Sequence, residues 1–173
     1  MACDINNGRD RACKEGLGGA STLYLYNELA DAFTVTNGEA EAMNVLLTEA
    51  WAFPLEGDGN TLEQSMVSDR NTGTRVNTQT LTVVLKNMDA ATNAQFNLLS
   101  AGYPQAVVVD RNGNHHAIGL DDGIDFTVVA SSGGAKTDMN GYTLTGVSTV
   151  SELAPVLDDT TVTAFEAIVQ ATT

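Results

Sequence analysis

The chain has 173 residues, 43% of them hydrophobic, which fits one domain with a real core and sets it apart from disordered sequences. Its 22 acids against 8 bases give a net charge of −14, which argues against nucleic-acid binding through phosphate contacts. No run approaches the ~18 consecutive apolar residues of a membrane span, and the start Met1-Ala2-Cys3-Asp4-Ile5-Asn6 lacks the basic and apolar regions of a secretory signal, so synthesis in the cytoplasm is expected.

The charge is unevenly spread. No basic residue lies between Lys14 and Arg70, while ten acids run from Glu15 to Asp69. A second interval, 137–173, holds Asp138, Glu152, Asp158, Asp159 and Glu166 with no base. This pattern suits a plain solvated acidic surface; it also suits a surface that repels DNA, so that DNA slides past without sticking. Cys3 and Cys13 read as reduced thiols, with a late disulfide as the alternative, and a lone pair with no matching His or Cys does not make a zinc site.

In chain order, 21–26 is a strand and 32–36 a second one. The segment 39–49 is ambiguous, because Ala, Glu, Met and Leu favour helix while Val45-Leu46-Leu47 suits a buried strand. Extended chain follows at 51–55, where Pro54 requires a sheet edge or a bulge. Residues 60–87 form the most informative feature, a long hairpin. In its second arm Thr78, Thr80, Thr82 and Val84 alternate with Gln79, Leu81, Val83 and Leu85, the period-two signature of a strand with one buried face. The first arm, 61–68, is mostly polar, and the turn Asp69-Arg70-Asn71-Thr72-Gly73 contains residues that tolerate positive φ. Arms of about ten residues reach roughly 33 Å. So long and polar a ladder cannot stand alone in water and must pack on its own domain or on a neighbour.

Asp89 is the expected N-cap of a helix over 89–101, with Ala91, Gln95, Phe96, Leu98 and Leu99 on its apolar side and Gly102 as the C′ residue. Strands return at 105–110 and 114–120 around the Arg111-Asn112-Gly113 turn, then at 124–131 and 141–150. The segment 162–173 suits a strand or a short helix equally. The expected fold is mainly β: a β-barrel or sandwich of about eight or nine antiparallel strands with one flanking α-helix and a long protruding hairpin. One domain is expected over 1–150, with 151–173 as a C-terminal extension.

Catalytic chemistry is hard to find. His115 and His116 are adjacent in a strand, so they face opposite ways and read as a surface pair. Asp110, Asp121, Asp122 and Asp125 with Asn112 and Asn114 suggest calcium, but the twelve-residue loop spacing and its terminal Glu are missing. The glycines of Gly16-Leu17-Gly18-Gly19 precede a strand and no Lys-Ser/Thr pair follows, which rejects a phosphate loop. No catalytic residue, cofactor or metal is expected.

Met1-Ala2-Cys3-Asp4-Ile5, Cys13-Lys14 with Gly18-Gly19, Ser68-Asp69-Arg70-Asn71-Thr72-Gly73-Thr74, Val108-Val109-Asp110-Arg111-Asn112-Gly113-Asn114 and Asp138-Met139-Asn140-Gly141-Tyr142-Thr143-Leu144-Thr145 together resemble a family of tailed-bacteriophage virion proteins, placed among the phage tail tube proteins. Tube proteins of contractile injection systems are similar at a greater distance. The resemblance covers most of 1–147, and 151–173 departs from it. It implies a β-barrel flanked by one helix, a hairpin that extends to neighbouring subunits, hexameric rings stacked into a tube, and an acidic lumen through which DNA travels without sequence-specific binding. The protein would then be a virion component made in the host cytoplasm, with other tail proteins as partners. On this reading Arg70, Asn71, Gly73, Arg75, Thr78, Thr80 and Thr82 form the inter-subunit assembly site, with Arg70 and Arg75 making ion pairs to an acidic neighbour. Solvated turn arginines are the alternative. Two other functions stand beside it: another virion part, such as a head decoration, connector or tail terminator protein, and a calcium- or carbohydrate-binding β-sandwich.

Overall fold

A computed structural model describes residues 8–10 and 14–170. Among these, twelve strands and two helices build two sheets. The strands are β1 (Ala20–Tyr26), β2 (Phe33–Thr36), β3 (Glu39–Met43), β4 (Ala50–Pro54), β5 (Thr61–Asp69), β6 (Thr74–Lys86), β7 (Gln105–Asp110), β8 (His115–Ile118), β9 (Asp125–Ser131), β10 (Gly141–Val150), β11 (Val156–Leu157) and β12 (Val169–Gln170). The helices are α1 (Ala90–Leu99) and α2 (Asp159–Glu166). The larger sheet has the order β12-β4-β1-β7-β8-β11-β3-β2 and the smaller one β5-β6-β10-β9. The protein is thus mainly β, as expected, and of the two expected forms it takes packed sheets over a closed barrel.

Several details depart from expectation. There are twelve strands, and β11 with β3 and β12 with β4 pair in parallel. The ambiguous 39–49 segment divides into the β3 strand and a loop whose Leu47 is buried. Pro54 ends β4 opposite Thr22, beyond the two residues that β12 covers, so its missing N–H lies on an open edge.

The smaller sheet packs on β1, β7 and β8. Leu81, Val83, Phe126, Tyr142 and Leu144 meet Leu23, Leu25, Ala106, Val108 and Ile118 in one core. Alternate residues of the same large-sheet strands point the other way: Tyr26, Val107 and Ala117 join Phe33, Ala40, Leu157 and Phe165 in a second core. Strand β7 is therefore covered on both faces, which is why it reads as the continuous run Ala106-Val107-Val108-Val109.

The second core depends on α2. Asp158 caps it, accepting from the Thr161 N–H at 2.7 Å, and fully buried Phe165 lies edge-on to Tyr24 and Tyr26 at centroid distances of 5.5 and 6.1 Å. The residues expected as a C-terminal extension are woven into the large sheet through β11, α2 and β12.

Helix α1 flanks the first core through Phe96, which is edge-on to Tyr142 at 4.9 Å. Asp89 caps it as expected, accepting from the Thr92 N–H at 2.8 Å. The other end differs. Ser100 closes the helix in ordinary right-handed geometry, Gly102 takes no positive φ, and Leu98 from the expected apolar side is 68% exposed.

Replacing Phe165 by Ala removes the ring on which this second core converges. The variant is expected to lose about 3–5 kcal/mol in chemical denaturation, and an unchanged midpoint would show that α2 does not seal the large sheet.

Candidate assembly surface

Two requirements position the surface. Leu81 and Val83 must be buried, so the intervening residues of β6 face outward. The sheet register then aligns those residues with their neighbours. Thr61, Thr82, Thr145 and Thr127 form a row of four threonines across β5, β6, β10 and β9. The next row is Glu63, Thr80, Val147 and Asp125, and beyond it Ser65, Thr78 and Thr149 align. The outward face is a hydroxyl-rich array whose acids in these rows are Glu63 and Asp125. Both edge strands of this sheet, β5 and β9, have one unpaired side among the described residues.

The hairpin protrudes less than its length suggests. Strand β5 pairs with β6 from Thr61 opposite Thr82 to Asp69 opposite Thr74, but β10 also supports β6 from Asn77 to Lys86. Only 66–76 extends beyond the sheet, roughly 13 Å at about 3.3 Å per residue. At its turn the Asp69 carboxylate accepts the Asn71 N–H at 2.7 Å, and the Gly73 N–H donates to the Asp69 carbonyl at 2.9 Å with Gly73 at φ +66°. Glycine alone supplies the left-handed residue, and Asn71 does not.

The expected assembly residues therefore separate into three groups. Thr78, Thr80 and Thr82 lie together on the outward face. Arg70, Asn71 and Gly73 are exposed in the turn. Arg75 points to the opposite face, where its guanidinium is 3.7 Å from Glu152 of its own chain. That pair is more than half exposed on both sides and contributes little.

Behind the tip lies a polar belt that sequence reasoning missed. Asn77 Nδ2 donates to the Glu152 carbonyl at 2.9 Å and to Gln64 Oε1 at 3.2 Å. Gln64 Oε1 also accepts the Ala154 N–H at 2.7 Å, and Gln79 Oε1 accepts the Gly119 N–H at 3.0 Å. Asn77 and Gln64 thus fasten 152–154 to the base of the hairpin, and Gln79 ties it to the segment after β8. The signal was the inward polar run Asn77, Gln79 and Gln64, since a buried amide must find partners. The threonine rows had a signal too, because Thr143, Thr145 and Thr149 repeat the period of Thr78, Thr80 and Thr82.

Two of the acids suspected of holding calcium, Asp110 and Asp121, are occupied locally. Asp110 accepts from the N–H groups of Asn112 and Asn114 at 2.8 and 2.9 Å and from Asn114 Nδ2 at 2.8 Å. Asp121 caps the Ser151 N–H at 3.0 Å, and no group of three potential metal-binding side chains gathers among the described residues. The histidines do face opposite ways, but His115 is only 8% exposed, stacked on Tyr24 and 3.7 Å from Glu166, so it is no surface residue. His116 lies 3.5 Å from Asp110. Cys3 and Cys13 lie outside the described residues.

Burial acts to raise the Asp110 carboxyl, but hydrogen bonds from Asn114, Asn112 and His116 outweigh it and hold the group below the usual carboxylate range. Hydrogen bonds from Thr92 lower Asp89, those from Ala135 and Gly134 lower Asp138, and those from Thr160 and Thr161 lower Asp158. Stability from such depressed groups is fully present above the unfolded value of about 3.9 and is lost as pH falls through the folded values. Denaturation midpoints should therefore drop below pH ~4, and Asp110→Asn should flatten that drop. Asn77→Ala should cost about 1–3 kcal/mol, whereas Thr80→Ala should stay within about 0.5 kcal/mol, both read from urea titrations.

Comparison of the chain with protein families, curated proteins and solved structures finds no match.

Proposed function

We propose that this protein is a structural, non-enzymatic subunit of a phage tail tube, which polymerises into stacked rings around a channel for DNA. The observation that carries the reading is the four-stranded sheet with two unpaired edges and a hydroxyl-lined outward face. A bare edge invites another strand, and closure of a ring removes the edges altogether. Six copies joined from β9 to β5 would contribute twenty-four strands, roughly 37 Å across at the backbone for about 4.8 Å per strand. The outward face would become the wall of the channel. Threonine hydroxyls with Glu63 and Asp125 dominate this face, and the base that the register adds to it, Lys86, is paired with Glu56, so phosphate finds little to hold. The wall is then less acidic than the resemblance implies, and its sparse negative charge serves the same end.

The resemblance in sequence to tail tube proteins supports the same assignment, with the virion as the place of action and neighbouring tail proteins as partners. The 66–76 tip would reach a neighbouring subunit. The other virion roles, some of which use related barrels, do not call for closure of this sheet into a ring.

Electron micrographs of the concentrated, purified chain should show long hollow filaments. Deletion of 69–74 should leave a folded monomer with an unchanged far-ultraviolet spectrum and no filaments; normal tubes from that deletion would sink the hairpin's role.

A further inference from the structure

A second surface remains without a partner. Between α1 and the β1–β4 edge runs an apolar groove of about 380 Å³, walled by Trp51, Phe53, Phe96, Leu98 and Tyr103, with Glu28 on its rim. Trp51, Leu98 and Tyr103 are all exposed there. At the hairpin tip, Val67 and Val76 sit opposite each other on the outward face and Met66 lies on the other, with Val67 64% exposed. The outward face of the tip is therefore apolar, whereas the face of Met66 is shared with Arg75 and with the buried amide of Asn77. An exposed apolar patch of this kind marks a contact surface.

Charge selects between the candidates for the groove. Arg70 has no acidic partner within 4 Å among the described residues, nor has Glu28 a basic one. In a chain with 8 bases against 22 acids, an unpaired arginine beside an apolar patch is a scarce feature. The other prominent apolar knob, Val45-Leu46, is flanked by Glu41 and Glu49 and would bring like charge to Glu28.

We infer that the 66–76 hairpin tip of one copy docks into the groove between α1 and the β1–β4 edge of another copy, with Arg70 facing Glu28. The inference rests on the polymerising-subunit reading and names its receiving surface. The contact joins unlike patches, so it propagates instead of closing as a symmetric dimer. It also explains why Leu98 stays on the solvent side of α1: the groove wall is completed by the arriving valines.

The test mixes two chains, one carrying Val67→Cys and the other Leu98→Cys, each with Cys3 and Cys13 replaced by Ser, and applies a short thiol cross-linker. A cross-linked dimer that requires both chains supports the docking. Arg70→Glu and Glu28→Arg should each weaken self-association about five-fold in sedimentation, and the double reversal should restore it. Filaments without the cross-link, a cross-link from Leu46→Cys in place of Val67→Cys, or a double reversal as weak as its parents would overturn the docking while leaving the tube reading intact. Parent chain that stays monomeric at high concentration would overturn both.

Discussion

The burial of Leu81 and Val83 fixes the architecture of the smaller sheet. A strand has two faces and a period of two, so once these residues enter the core, Thr78, Thr80 and Thr82 must leave it. Strand β10 obeys the same rule in register, with Leu144 inward and Thr143 and Thr145 outward. Gly146 leaves room for its cross-strand neighbour, because a Cβ there would lie 2.8 Å from both Phe126 on β9 and Ile124 just before it. A slip of one residue in either strand would bury the hydroxyls and expose the core at once.

The larger sheet solves a different problem. Its central strands are apolar on both sides, so the first core is not enough and a second cover is required. The C-terminal segment supplies it, held at one end by the amide belt of Asn77 and Gln64 and at the other by β12 on β4. Hairpin base and C-terminal segment are thereby a single mechanical unit, although Gln64 and Ala154 are 90 residues apart. Tyr26 Oη is buried there without a partner among the described residues, and burial raises its ionisation far above the ordinary tyrosine range, so it stays neutral and packs as a ring.

The parts legible in the sequence were those with local signals. The alternation of β6, the Asn112-Gly113 turn at φ +88° and the Asp89 cap each act within a few residues. The parts that stayed hidden depend on distance in the chain. Strands of two residues, such as β11 and β12, are too short to show a period, and their parallel partners β3 and β4 lie more than a hundred residues earlier. Phe165 looks like any phenylalanine in a mixed segment until three rings converge on it. The candidate site divides the same way: its threonines were visible in β6, whereas their continuation across β10, β9 and β5 needed the register.

Helix α2 is also a ruler. It carries the chain from β11 to β12, which lie five strand steps apart, roughly 24 Å on a flat sheet at about 4.8 Å per step. Its eight residues measure about 12 Å, and three linking residues add roughly 10 Å. Since that reach falls just short of the flat span, the large sheet has to curl around Phe165 for β12 to meet β4. A helix one turn shorter, by about 5.4 Å, would leave the outer side of β4 without its partner strand.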